Sequence, residues 1–160
     1  MRKATISLLA AAVLLFALAS SAARAQFGIS ADGVYLGRLS VNRWHPESTA
    51  NPFGRYGNSF SPLSLASPYS RYGSRWSPYS WRSPYAYRAP RLYAADGTYL
   101  GKLSANRFDP ESVFNPYSRY GNPHSPVSIW NRYGRYGSKH SPYSWRNPYG
   151  SYAPLIYGAR

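Results

Sequence analysis

Residues 51–57 (NPFGRYG) return 16 positions later as residues 67–73 (SPYSRYG), and this recurrence decides which kind of fold the chain can adopt. In the second half of the sequence, residues 115–121 (NPYSRYG) and 131–137 (NRYGRYG) show the same spacing. A fixed short period is typical of an array of small units, each of which needs its neighbours to bury its apolar side. We therefore expect a small repeat protein.

A longer period contains the short one. Residues 31–93 align without a gap with residues 95–157, at an offset of 64, and 38 of these 63 positions are identical. Each 64-residue block holds four units of 16 residues, the first of them degenerate. The sequence predicts repeat block 1 at residues 26–94 and repeat block 2 at residues 95–160, which together form one joint domain.

The proline pattern limits what one unit can form. Each unit contains Ser-Pro-x-Ser, or Asp-Pro-Glu-Ser at residues 109–112, and Ser or Asp before Pro is a helix-start signal. A second proline follows soon afterwards and stops the helix, so we expect single helical turns that are partly 3₁₀. Arg-Tyr-Gly is expected to be a short extended piece, ended by a glycine with positive φ. The predicted fold class is mostly β and irregular, with a low helix content.

Asp-Gly pairs predict β-hairpins. The pair Asp96-Gly97 lies between the β-prone residues 92–93 and 98–103, and residues 27–36 repeat the arrangement in block 1. Residues 155–157 match the first arm of a third hairpin whose second arm is missing. Because an unpaired edge invites association, we expect this arm to pair with another strand of the same protein.

Few aliphatic residues are available for a core, so we expect an interior built from aromatic rings on which arginines stack. The alternative is a disordered low-complexity chain, which the 13 Gly, 14 Pro and many Ser residues would also fit. The gapless register of both periods favours the folded alternative, because disordered tracts tolerate insertions.

Residues 1–25 have the composition of a secretory signal peptide. Arg2 and Lys3 supply a positive start, residues 4–19 carry no charge, and a site of small residues ends at Ala25. We expect cleavage after Ala25 and a secreted or periplasmic protein. The apolar run is shorter than the roughly 20 residues that span a bilayer, so no transmembrane span is expected.

The charge of the chain favours anionic partners. Removing Arg2, Lys3 and Arg24 with the signal peptide lowers the formal net charge from +14 to +11. Such a surface attracts polyanions, among them acidic polysaccharides and other envelope components. Cysteine is absent from the sequence, which excludes a disulfide framework and thiol chemistry.

The sequence contains no pattern that indicates catalysis or metal binding. Its three histidines are His45, His124 and His140. None recurs at the equivalent position of the other block, and none has a metal-ligand spacing. The carboxylates Asp32 and Asp96, and Glu47 and Glu111, do recur, but a turn and a helix start explain them locally. We therefore expect no enzyme activity, no metal and no cofactor.

Arginine beside an aromatic ring is the one recurring pattern with binding chemistry. It predicts a ligand-binding set made of Arg55, Tyr56, Arg71, Tyr72, Trp81, Arg82, Arg119, Tyr120, Arg135, Tyr136, Trp145 and Arg146. Arginine offers a planar fork for carboxylate, sulfate or phosphate, and a ring can stack on a sugar. The alternative is that these side chains stack on one another inside the array.

These features together predict an exported, non-catalytic repeat module that binds an anionic envelope polymer, such as a polysaccharide, or a partner protein. A structural or matrix protein that self-associates through its Tyr- and Arg-rich repeats is the alternative. Nucleic acid is disfavoured as a partner, because export removes the chain from it and no known nucleic-acid motif is present.

Overall fold

Four short segments rich in Tyr, Leu, Ile and Val form the strands of the protein. A computed structural model describes residues 33–160, and the signal peptide and the first arm of the block 1 hairpin lie outside them. The strands are β1 (Val34–Arg38), β2 (Arg91–Tyr93), β3 (Tyr99–Lys102) and β4 (Leu155–Gly158). They form one antiparallel sheet with the order β1-β4-β2-β3, within a compact unit that covers Val34–Arg160.

Residues 94–98 connect β2 to β3, which are antiparallel neighbours. The Thr98 N–H donates to Asp96 Oδ1 at 3.0 Å, and Gly97 takes a φ of 88° that favours glycine. The last strand, β4, lies in the middle of the sheet and pairs with both β1 and β2. Residues 155–157 therefore do pair with other strands of the same chain, as we expected.

The remainder of the described chain consists of tandem β-turns, and residues 33–160 contain no helix. The expected helical turns at Ser-Pro-x-Ser are therefore wrong. Each such segment closes one turn: Ser64 N–H donates to the Ser61 carbonyl at 3.2 Å, and Ser80 N–H donates to the Ser77 carbonyl at 3.2 Å. No helix continues from this turn, because the serine side chain accepts the next free backbone N–H. At Ser80, for example, Oγ accepts from the N–H of Arg82.

The 16-residue period is a count of turns. We call a residue an anchor when its carbonyl closes one turn and its N–H closes the previous turn. Anchors are spaced by three residues, with one step of four in each unit. In one unit the anchors are Ser112, Asn115, Ser118, Asn122, Ser125 and Ser128. Four steps of three and one step of four give 16, the period of the sequence. Within each block, three anchors that lie 16 residues apart are fully buried serines. These six serines are Ser48, Ser64, Ser80, Ser112, Ser128 and Ser144.

The Arg-Tyr-Gly segments are also turns, so the expected extended pieces are wrong. Their glycines do not have positive φ; among the described residues only Gly37, Gly97 and Gly101 do. A Cβ at Gly57, Gly73, Gly121 or Gly137 would instead overlap the carbonyl oxygen of the residue six positions earlier, which is Asn115 for Gly121. Glycine is required there because the turns stack closely.

The centre of the core is aliphatic, contrary to the expected interior of rings. Leu36, Leu92, Leu100 and Ile156, one from each strand, have no exposed surface. Aromatic side chains such as Trp81, Trp130 and Trp145 pack around this centre and remain partly exposed. Leu65, Val113 and Ile129, which lie in the turns, complete this buried aliphatic core. Within residues 33–160, no helix has the length and hydropathy that crossing a membrane requires.

Candidate binding surface

Four of the five Arg-Tyr-Gly tyrosines attach the turns to the sheet, and the fifth, Tyr133, is exposed. The ring of Tyr56 meets Tyr35 edge-on at 5.3 Å between centroids, and Tyr120 meets Tyr99 in the same way at 5.2 Å. The ring of Tyr72 is 3% exposed, and its hydroxyl donates to the Ala159 carbonyl at 2.9 Å.

Tyr136 is the counterpart of Tyr72 in block 2 and makes a polar contact with the β2–β3 connection. Its hydroxyl donates to Asp96 Oδ2 at 3.0 Å, while Arg135 lies 3.5 Å from the same oxygen. Burial opposes ionisation of Asp96, but hydrogen bonds from Thr98 and Tyr136 and the Arg135 charge together hold its pKa below its ordinary value.

Two of the predicted arginines stack on tyrosines of the same block. The guanidinium of Arg71 lies 3.6 Å from the ring centroid of Tyr79, and that of Arg135 lies 3.9 Å from the centroid of Tyr143. The adjacent Arg71 guanidinium lowers the pKa of the Tyr79 hydroxyl. These pairs follow the internal-stacking alternative, although both arginines keep an exposed face.

The tryptophan–arginine pairs are half-buried. Trp81 Nε1 donates to the Leu65 carbonyl at 2.8 Å, and the guanidinium of Arg82 lies 5.3 Å from the Trp81 ring centroid. Trp145 and Arg146 repeat this arrangement, with Trp145 Nε1 donating at 2.9 Å to the Ile129 carbonyl.

Arg55 and Arg119 differ from the other predicted arginines. Both are exposed, and neither makes an ion pair or lies over a ring within residues 33–160. Among the twelve predicted residues, the rings are buried or half-buried and the arginines are half-buried or exposed. Ligand contact by this set stays a prediction.

Sequence reasoning missed a second set of rings, which lies at the turn corners. These corner rings are 87–99% exposed and are Trp44, Phe53, Phe60, Tyr69, Trp76, Tyr85, Phe108, Tyr117, Tyr133 and Tyr149. Each stands two residues after a Ser or Asn, and its N–H commonly donates to that side chain, as Tyr133 does to Asn131 Oδ1 at 3.0 Å. That turn holds the ring residue at the outer corner, where its side chain extends into solvent.

The corner rings recur along each block at alternating separations of 9 and 7 residues, and His124 and His140 occupy two of the same positions. The signal in the sequence is a triplet of Ser or Asn, any residue, and an aromatic ring. The triplet also occurs at half-buried rings such as Tyr79 and Trp130, so residue types alone do not mark the exposed positions.

Most cations of the surface have no acidic neighbour. All four described carboxylates are paired with only three cations: Glu47 with Arg38 at 3.0 Å, Glu111 with Lys102 at 2.6 Å, Asp109 also with Lys102, and Asp96 with Arg135. Residues 33–160 contain 16 Lys and Arg side chains, so 13 of them have no side-chain carboxylate of that range within 4.0 Å. Five basic residues directly precede a corner position: Arg43, Arg75, Arg107, Arg132 and Lys139.

One open groove combines these features. Arg75, Trp76 and Tyr85 line it together with Pro78, Ser83 and Pro84, and its volume is about 460 Å³. Two corner rings and an arginine thus line the same groove, which suits a flat or cyclic ligand with a negative charge. At the equivalent positions block 2 has Lys139, His140 and Tyr149.

Metal chemistry finds no support in residues 33–160, where no three His, Cys, Asp or Glu side chains gather closely enough to hold an ion. The surface offers charge, stacking and regular spacing instead. In comparisons with known proteins, no family model, no curated protein and no solved structure matches this chain.

Proposed function

We propose that this protein is an exported, non-catalytic repeat module that binds an anionic envelope polymer, in the first place an acidic polysaccharide. The observation that carries the proposal is the set of ten exposed corner rings, four of which directly follow an arginine. The binding surface of this proposal consists of the corner rings and these basic neighbours.

Exposed rings in this number need a reason. Single surface hydrophobics are ordinary, but ten large aromatic side chains held almost fully in solvent are a liability unless they serve contact with a partner. Each ring can cover the apolar face of a sugar, while the neighbouring guanidinium accepts a carboxylate or sulfate in its planar fork.

Regular spacing turns weak sites into useful affinity. One ring and one cation bind weakly in water, but a polymer that engages several corners at once gains from the high effective concentration of the next site. The backbone of a sheet-anchored turn array keeps the corners in place, so little conformational entropy is lost when the polymer binds.

The alternative function is a structural or matrix role through self-association. The exposed corner tyrosines Tyr69, Tyr85, Tyr117, Tyr133 and Tyr149 are the groups that a second copy would reach. Association that rises with protein concentration in the absence of any polymer would favour this alternative.

Retention of the purified protein on a polyuronate matrix tests the proposal against a neutral polysaccharide of similar length. We expect retention only on the acidic matrix, with elution at moderate salt because screening weakens exposed charges. A variant with Arg43, Arg75, Arg107 and Arg132 changed to Gln should elute at clearly lower salt.

The matched control has the same net charge and changes Arg55, Arg91, Arg119 and Arg160 to Gln. These arginines are exposed but do not precede corner rings. Equal losses in both variants would reduce the effect to net charge and contradict the assigned surface. In the groove, Trp76→Ala should weaken retention more than His140→Ala, its counterpart in block 2.

A further inference from the structure

Every strand pairing of the sheet joins block 1 to block 2. β1 and β2 belong to block 1, β3 and β4 belong to block 2, and the order β1-β4-β2-β3 alternates between them. Within residues 33–160, the backbone bridges inside a block are only the single ones at Arg38–Ser48 and Lys102–Ser112. The sheet is therefore an interface between the two blocks rather than a property of either.

The β1–β4 and β2–β3 pairings share equivalent contacts. Tyr93 lies opposite Tyr99, and 64 residues away Tyr157 lies opposite Tyr35. Beside the strands, Leu103 N–H donates to the Pro90 carbonyl at 2.8 Å, and the equivalent bond from Leu39 to Pro154 is also 2.8 Å. The tail of each block thus fits the head of the other in an identical manner.

The central pairing of β2 with β4 is reciprocal. Leu92 lies opposite Ile156, and on either side of this pair Arg91 lies opposite Tyr157 and Tyr93 opposite Leu155. A contact in which residue i meets j and the equivalent of j meets the equivalent of i has two-fold symmetry. Such interfaces are those by which identical subunits form closed dimers.

We propose that the partner this surface fits is a second copy of the same chain, in a dimer that exchanges blocks. In this dimer, each sheet contains β1 and β2 of one copy and β3 and β4 of the other. Exchange preserves every contact of the sheet, and the connection of residues 94–98 is the only segment that must change its path. The monomer is favoured when this connection can form a hairpin, because the two blocks of one chain are then at a high effective concentration relative to each other.

Shortening the connection tests the proposal on the full-length protein. Deletion of residues 95–97 removes Gly97, the residue with positive φ, and leaves Ala94 and Thr98, which are poor residues for a two-residue hairpin loop. We expect this variant to be a dimer with twice the mass of the parent in light scattering. The matched control, an insertion of three glycines in the same connection, should remain a monomer.

Engineered cysteines show whether the dimer is the exchanged one, since the chain has no cysteine of its own. Arg38 and Leu155 are Cα partners of β1 and β4, and directly opposite residues of antiparallel strands lie about 4.5–5.5 Å apart, which a disulfide can span. The deletion variants Arg38→Cys and Leu155→Cys, refolded together, should form a disulfide between chains. When both cysteines are placed in one chain without the deletion, the disulfide should form within that chain.

A deletion variant that is a folded monomer would overturn the proposal, and so would a dimer that fails to form this disulfide. A deletion variant that does not fold would also count against the proposal if a second experiment fails. In that experiment, the two single cysteine variants of the undeleted parent are refolded together at high concentration and yield no disulfide between chains. Binding to polyuronate does not enter these readouts, so the result is independent of the proposed function.

Discussion

Replacing Gly121 with alanine should destabilise the protein far more than the same replacement at Gly134, although both glycines lie in turns of block 2. An added Cβ at Gly121 would overlap the Asn115 carbonyl oxygen and lie 2.6 Å from its carbonyl carbon. Because carbon atoms in contact are about 3.5–4.0 Å apart, the Asn115 peptide would have to move by roughly 1 Å. That carbonyl accepts from Ser118 N–H at 3.1 Å and from Ser118 Oγ at 3.0 Å, so the movement strains two hydrogen bonds of one anchor.

Overpacking of this kind costs about 1–3 kcal/mol, and each strained buried hydrogen bond adds about 1 kcal/mol. We therefore expect Gly121→Ala to lower the free energy of unfolding by about 3 kcal/mol and the melting temperature by roughly 10 °C. Urea unfolding followed by aromatic fluorescence measures both variants. Gly134 is the control, because the atoms nearest to its added Cβ belong to the Asn131 side chain, which can shift. Equal stability of the two variants would refute the close stacking of turns on which this reasoning depends.

Three further predictions concern the sheet and the ionisable groups whose pKa is shifted. Ile156→Ala should cost about 2–5 kcal/mol in urea unfolding, since the side chain is fully buried at the centre of the sheet. Burial, followed by the negative charges of Glu47 and Glu111, raises the pKa of Tyr35 and Tyr99. The contribution of these tyrosines to stability is therefore fully present below about pH 10 and is lost as the pH rises above it. Phenolate absorbance should show tyrosines that ionise only on unfolding. The lowered pKa of Asp96 acts in the opposite direction, because its contribution is present above about pH 4 and is lost as the pH falls, and Asp96→Asn should flatten the acid limb of the stability profile.

The sequence predicts the sheet better than it predicts the turns. Residues 155–157 resemble residues 91–93, and a missing second arm correctly indicated that they pair elsewhere in the chain. The sequence alone does not say that β4 lies between β1 and β2.

The turns were mispredicted because local signals are ambiguous over three residues. Ser before Pro starts a helix as readily as it starts a turn. The turn forms here because a serine side chain accepts a hydrogen bond from the backbone N–H two residues later. The exposed corner rings follow from the same hydrogen bonds, which a pattern of residue types does not reveal. The inward position of Tyr72 and Tyr136 depends on contacts with Ala159 and Asp96, far away in the sequence, and no local pattern could have indicated it.

The most direct test of the binding surface is an amide chemical-shift titration of the isotope-labelled protein with a short uronic acid oligomer. The account predicts that the largest shifts occur at the corner positions and their basic neighbours, with Arg75, Trp76 and Tyr85 among the first to respond, while the β2–β4 pair in the sheet stays unchanged. Shifts confined to the sheet, or an unchanged spectrum at low salt and saturating oligomer, would contradict it.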